Sequence, residues 1–273
     1  MSDSDVIVLK IGGSVADEDA AALDAIASLS DAGHSLAVVH GGGPLVGEWA
    51  ERLGYQTSFI RGLRVTDEPT RDLALAVLGG LANVRIVAAL IGRSVPAVGL
   101  TGIDGGILRA QREDSDLGYV GVVRRVDSAL LEELIEAGRV PVIAPAALEE
   151  PAGQEPVVLN VNADNAAGAI AAALGARLLV FVTDVPGVRA KDGKVVATLD
   201  RDRAKALVDD GTIEGGMLPK VEACLVASAA GCRAAIVDAR SGDAIERLLA
   251  GERVGTVFPP QEASLAGKGG PAA

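Results

Sequence analysis

Cysteine, aromatic residues and lysine are all scarce in this chain of 273 residues, and each shortage removes a class of protein. Two cysteines, Cys224 and Cys232, cannot build a disulfide framework or, by themselves, a zinc site; both read as small buried apolar residues. One Trp, two Tyr and three Phe leave little on which to stack bases. With 37 acidic against 25 basic side chains, the net charge of −12 is opposite to what a phosphate backbone attracts. Nucleic acid is excluded as a partner on both counts. The longest apolar run, Ala166 to Ala176, has 11 residues and ends at Arg177, too short to span a bilayer. The acidic start, Met1 to Asp5, is no signal peptide. These absences predict a cytoplasmic protein with no membrane partner, and the excess of acid reads as a surface suited to a salty cytoplasm, where self-repulsion is screened.

What the chain does have is alternation. Apolar runs at Val6–Ile11, Leu36–His40, Ala97–Leu100, Val140–Ala144, Leu178–Thr183, Ala234–Val237 and Val254–Phe258 read as buried strands. Between them, helical spacing predicts helices over Asp17–Leu29, Pro44–Leu53, Glu68–Val77, Leu81–Ile91, Asp127–Ala137, Asn162–Leu174, Met217–Ala229 and Asp243–Leu249. Ile107–Ala110 and Tyr119–Val126 predict an antiparallel ribbon. Repeated strand–helix units with near-continuous apolar strands imply an α/β fold, a three-layer αβα sandwich around a mainly parallel central sheet. Ligands of such sheets sit at the carboxyl ends of the strands, and here several strands end in glycine turns.

No G-x-x-x-x-G-K-[ST], H-E-x-x-H, C-x-x-C or G-x-S-x-G is present, so a P-loop, zinc hydrolysis and a serine elbow lack support. The glycine turns Gly12-Gly13-Ser14 and Gly41-Gly42-Gly43 each follow a strand, and backbone N–H groups in such turns bind anionic oxygens. Lys10 interrupts an apolar strand beside one of them, and an unpaired buried charge is costly, so it needs an anionic partner. Lys220 stands near the start of a helix, after Gly215-Gly216-Met217-Leu218-Pro219; helix N-termini favour anions, and a lysine there suits shared binding of one. Asn160-Val161-Asn162-Ala163-Asp164-Asn165 is the densest polar cluster beside a strand; one member serves as a helix cap, and the others are in excess of capping. Arg64, in a loop, can hold a carboxylate bidentately. Trp49, Tyr55 and Phe59 read as packing residues, and His40 as a shaper of the glycine turn.

Together these segments resemble the amino-acid kinase superfamily and, within it, the N-acetylglutamate kinases. Lys10-Ile11-Gly12-Gly13-Ser14 and His40-Gly41-Gly42-Gly43 mark the superfamily. Gly62-Leu63-Arg64-Val65-Thr66-Asp67, Asn160-Val161-Asn162-Ala163-Asp164, Thr183-Asp184-Val185-Pro186-Gly187-Val188 and Gly215-Gly216-Met217-Leu218-Pro219-Lys220 are more specific. The resemblance implies ATP-dependent phosphorylation of a side-chain carboxylate to an acyl phosphate, with Mg²⁺ accompanying the nucleotide. It implies that Lys10 and Lys220 neutralise the transferring phosphoryl group while Asp164 orients both. Gly42, Gly43, Arg64 and Asn160 would bind the amino-acid substrate. Gly12, Gly13, Thr183, Asp184, Gly187, Gly216 and Met217 would bind phosphate or nucleotide. By the same resemblance, residues 1–175 form a substrate-binding and dimerising lobe, 176–258 a nucleotide lobe, and 259–273 a flexible tail.

The resemblance leaves two substrates open. The turn Thr101-Gly102-Ile103-Asp104-Gly105-Gly106 lacks a lysine common in N-acetylglutamate kinases and looks more like relatives whose glutamate or 2-aminoadipate is attached to a small acidic carrier protein. Arg109, Arg112, Arg124 and Arg125 on the ribbon are candidates for docking such a carrier. The sequence has no helix before the first strand, which by resemblance implies a homodimer without arginine feedback. The rival readings are another superfamily kinase, acting on isopentenyl phosphate, aspartate, carbamate or uridylate, and a non-catalytic nucleotide or amino-acid sensor.

Overall fold

The computed structural model describes residues 5–12, 17–60, 62–113, 115–151, 155–238 and 243–261. Its first half runs β1 (Ile7–Ile11), α1 (Asp17–Asp31), β2 (Leu36–His40), α2 (Gly43–Arg52), a hairpin β3 (Phe59–Ile60) and β4 (Leu63–Arg64), then α3 (Glu68–Leu75), a π-helical segment (Ala76–Ala82) and α4 (Asn83–Ile91). Next come β5 (Ala97–Thr101), β6 (Leu108–Arg112), β7 (Val120–Val126), α5 (Ala129–Glu136), β8 (Val140–Ala144), β9 (Ala146–Glu149) and β10 (Val158–Val161). The chain continues with α6 (Ala163–Ala173), β11 (Leu178–Thr183), α7 (Arg201–Asp209), α8 (Met217–Ala229), β12 (Arg233–Asp238), α9 (Ala244–Leu249) and β13 (Thr256–Phe258).

Seven strands form one sheet in the order β13-β12-β11-β1-β2-β8-β5. All neighbours are parallel except β12 and β13. Because successive strand residues face opposite ways, the apolar runs feed two cores. Val8, Val39, Ile143, Phe181 and Ile236 meet α5, α6 and α8 on one face. Leu9, Val38, Val142, Val180 and Val237 meet α1, α4 and α9 on the other. The three-layer arrangement follows directly from strands that are apolar on both sides.

The structure departs from the sequence reading in four places. The two helices expected over Glu68–Val77 and Leu81–Ile91 are one continuous helical stretch, Glu68–Ile91. Gly79 and Gly80 disfavour a helix by roughly 1 kcal/mol each, but burial of Val77, Leu78, Ala82, Ile86 and Leu90 outweighs this, and the glycines are carried in the π-helical segment. This stretch is long and apolar enough to cross a membrane by length and composition alone, whereas its inner face packs on the sheet. The ribbon is confirmed as β6 and β7, but it closes with β9 and β10 into a four-stranded barrel. Helix α7, capped by Asp200 accepting from the Arg203 amide at 2.8 Å, was not anticipated. Finally, the start of the expected tail is tied down: Ser228 Oγ donates to Pro259 O at 2.6 Å, and Gln261 N donates to Ser228 O at 2.9 Å.

Candidate active site

At the carboxyl end of the sheet lies a cavity of about 870 Å³. Its lining includes Lys10 near the end of β1 and Gly12 just after it, Gly41, Gly42 and Gly43 after β2, and Thr183 and Asp184 at the end of β11. Arg64, Asn160, Asp164 and Lys220 complete the set. The structure therefore gathers residues from six separated segments into the place the fold class predicts. Gly13 lies outside the described residues.

Asp164 is the centre of the charge arrangement. It sits in the first turn of α6, with its side chain 7% exposed. Lys10 Nζ approaches Oδ1 at 2.8 Å and Lys220 Nζ approaches Oδ2 at 2.9 Å. Burial pushes the Asp164 carboxyl up, but the two ammonium groups outweigh it and hold the group below its ordinary value. One carboxylate between two ammoniums leaves a net positive charge facing the cavity. Lys220 also donates to Gly216 O at 3.3 Å, which ties it to the turn before α8. Asn162 is the cap the sequence suggested, accepting from the Asp164 and Asn165 amides at 2.8 and 3.1 Å.

Helices α6 and α8, which carry Asp164 and Lys220, cross at Gly168. A Cβ there would stand 2.7 Å from Ala223 O and 2.9 Å from Ala223 Cα, closer than packed atoms come. The absence of a side chain at Gly168 thus sets the spacing of the two charged residues. This residue was missed in the sequence, where it is one glycine in an alanine-rich helix.

The glycine turn after β2 is braced from below. His40 is fully buried, with Nδ1 2.7 Å from Gly41 O and Nε2 3.1 Å from Asn83 Nδ2. Burial, with a smaller contribution from Lys10, pulls the imidazole down to about 4 against the hydrogen bond to Gly41, so it is neutral at pH 7. The reading of His40 as a shaper of the turn holds. Asn83 was missed, although a lone amide within an apolar helix was a visible signal.

On the substrate side, Arg64 Nη2 donates to Gly43 O at 2.8 Å. Its Nη1 is buried and hydrogen-bonds to no described residue, and burial lowers the guanidinium from its ordinary value. An unsatisfied buried donor on a residue that lines the cavity fits an anionic guest. Thr66, another missed residue, is fully buried; its hydroxyl donates to Arg64 O at 2.8 Å and accepts from Asn160 Nδ2 at 3.4 Å. It couples the two expected substrate ligands. Phe59 corrects the packing expectation. It is 57% exposed, lines the cavity, and carries the Arg64 guanidinium 4.8 Å over its ring.

The remaining expected residues divide. Thr183 and Asp184 line the cavity, with the Thr183 hydroxyl donating to Asp184 Oδ1 at 3.1 Å. Gly216 and Met217 open α8 beside Lys220. Gly187 does not line the cavity. Its φ of 139° and the approach of Thr256 Oγ1, 2.6 Å from where a Cβ would stand, account for glycine there by packing. The ribbon arginines are also partly engaged: Arg112 pairs with Glu149 at 2.8 Å and Arg125 with Glu150 at 3.5 Å. Both cysteines are buried free thiols, as expected.

Comparison with known proteins follows this geometry. Residues 5–238 match the model of the amino acid kinase family. The acetylglutamate kinase of Dehalococcoides mccartyi strain 195 is 40% identical over 256 residues, covering 93% of this chain and 94% of that protein. The acetylglutamate kinase of Methanopyrus kandleri is 45% identical over 240 residues, covering 84% and 93%. Among solved structures, N-acetylglutamate synthase of Neisseria gonorrhoeae superposes with a TM-score of 0.78 at 26% identity, over 94% of this chain and 61% of that one.

Proposed function

The chain belongs to the amino acid kinase family, and we propose that it transfers the γ-phosphoryl group of ATP to the side-chain carboxylate of N-acetylglutamate, a step of arginine biosynthesis. The observation that carries the proposal is Asp164 bridging Lys10 and Lys220 at the cavity wall. A transferring phosphoryl group needs little covalent help and much placed positive charge.

In this reading Arg64 holds the α-carboxylate, using the donor that no described residue satisfies, and Asn160 holds the acyl-amino portion. A side-chain carboxylate oxygen forms a bond to the γ-phosphorus as the bond from that phosphorus to the β–γ bridging oxygen breaks, giving the acyl phosphate and ADP. The attacking carboxylate is ionised near neutrality, so no general base is required, in keeping with a His40 that faces away into the core. Lys10 and Lys220 offset charge on the moving group. Gly12, Gly42 and Gly43 offer backbone donors, and Thr183, Asp184, Gly216 and Met217 border the nucleotide. Among the described residues no three His, Cys, Asp or Glu converge as metal ligands, so Mg²⁺ fits as an ion carried on the phosphates, where it would neutralise their charge. Residues 1–175 serve as the substrate lobe and 176–258 as the nucleotide lobe.

The proposal takes the free acetylated substrate, because Glu149 and Glu150 already engage two of the arginines a carrier would need. It extends to a cytoplasmic homodimer. The buried free thiols suit a reducing compartment, and Val84 and Ile91, 62% and 56% exposed on α4, offer an apolar face to a second copy. The deciding experiment traps acyl phosphate as a hydroxamate, with ATP, Mg²⁺ and N-acetylglutamate, N-acetylaminoadipate or carrier-linked forms of each. Product with N-acetylglutamate, abolished by Lys10→Ala, is expected. No product with N-acetylglutamate overturns the proposal, and product only with carrier-linked substrate replaces it with the carrier reading.

A further inference from the structure

We propose that His40 and Asn83 are positioning residues for phosphoryl transfer, which hold the Gly41–Gly42 peptide so that the Gly42 N–H is presented to the cavity. The argument rests on the phosphoryl-transfer reading above and begins with which atoms can donate. The Gly41 carbonyl, 2.7 Å from His40 Nδ1, can only accept, so Nδ1 carries the proton. A neutral ring then has a lone pair at Nε2, which accepts from Asn83 Nδ2 at 3.1 Å. The orientation of the Asn83 amide is fixed independently, because the same nitrogen faces two more acceptors, Val142 O at 2.9 Å and Leu100 O at 3.3 Å. Asn83 therefore selects the imidazole tautomer that can grip Gly41.

The consequence for the turn follows from peptide planarity. In a trans peptide the carbonyl and the next N–H point in opposite directions. His40 is wholly buried and draws the Gly41 carbonyl toward the core, so the N–H of Gly42 is turned away from the core, toward the cavity that Gly41 and Gly42 line. A preorganised backbone donor is worth much to a developing charge because it does not have to reorient during the reaction. Asn83 reaches His40 because two features deliver it. It is the first residue after the π-helical segment, a device common at functional sites. Its Oδ1 also occupies the place of a Cβ on Gly99, only 2.2 Å from where that atom would stand.

The test is steady-state kinetics on the full chain, with N-acetylglutamate and ATP, for the wild type, His40→Asn, His40→Gln and Asn83→Leu. The Asn amide nitrogen can occupy the position of Nδ1, whereas the Gln amide reaches only that of Nε2. The expected result is that His40→Asn, as the conservative replacement, keeps kcat within about tenfold of wild type. His40→Gln and Asn83→Leu should lower kcat by on the order of 10²-fold, with the KM of N-acetylglutamate shifting less than about threefold. Urea unfolding of each variant reports the folded fraction, and Asn83→Leu carries the test if His40→Gln does not fold. Wild-type kcat in Asn83→Leu, or equal losses in His40→Asn and His40→Gln, overturns the inference. Absence of turnover in the wild type overturns the functional reading instead.

Discussion

Lowering the pH should destabilise this protein through His40 before its paired carboxylates respond. The folded imidazole titrates at about 4, against 6.5 for an unperturbed histidine, chiefly because it is buried. Between those values the unfolded chain binds a proton that the folded chain refuses. Stability is therefore unaffected above about pH 6.5 and falls as the pH drops toward 4. At 1.36 kcal/mol per unit, the full difference amounts to about 3 kcal/mol, of which about 2 kcal/mol is already lost at pH 5. Asp164 has the opposite history. Its carboxyl is held below the ordinary value, so its contribution is lost only at more acidic pH, as the group is protonated. The assay is urea unfolding of the wild type and of His40→Asn at pH 7.5 and pH 5.0. The variant cannot titrate at this position and should lose less stability between the two conditions, by about 2 kcal/mol. Equal losses in the two proteins would refute the reasoning, because the pH sensitivity would then reside elsewhere.

Asp164→Asn leaves two partly buried ammoniums without their carboxylate and should cost about 3–5 kcal/mol of stability, with kcat falling even where the variant is fully folded; chemical unfolding together with single-turnover kinetics checks both. Arg64→Ala should raise the KM for N-acetylglutamate by about 10–100-fold, as loss of a charge-assisted hydrogen bond predicts, while the KM for ATP stays near wild type; a matching rise for ATP would count against the assignment. Gly168→Ala should force α6 and α8 apart, costing about 1–3 kcal/mol and lowering kcat more than KM, because Lys220 is displaced from Asp164. A melting temperature and kcat both equal to wild type would show that the crossing yields without consequence.

The candidate site was legible where chemistry is written in neighbouring residues. Lys10 stood out because an ammonium in an apolar strand demands a partner, and Gly41 to Gly43 because a glycine turn after a strand exposes backbone donors. The partner of Lys10 was not legible without the resemblance, since Asp164 lies far along the chain. Gly187 shows the opposite difficulty. It sits in a motif that suggested nucleotide binding, yet the backbone there is required to be glycine by the approach of Thr256. Phe59 looked like a core residue by type and proved to be a half-exposed platform for Arg64, because two-residue strands give no periodicity from which burial can be read.

The sequence by itself determined the layer architecture, since runs apolar on both sides point to strands of a sheet covered on two faces, and it determined which strand ends would meet a ligand. The tertiary structure alone decided the barrel closed by β9 and β10, the unbroken helix through Gly79 and Gly80, the spacing of Asp164 and Lys220 across Gly168, and the grip of Asn83 on His40. Each of these depends on contacts between residues distant in the chain. Local preference is set by near neighbours and is worth about 1 kcal/mol or less per residue here, whereas burying one large apolar side chain is worth about 1.5–3 kcal/mol. Where the two disagreed, as in the helix from Glu68 to Ile91, packing prevailed.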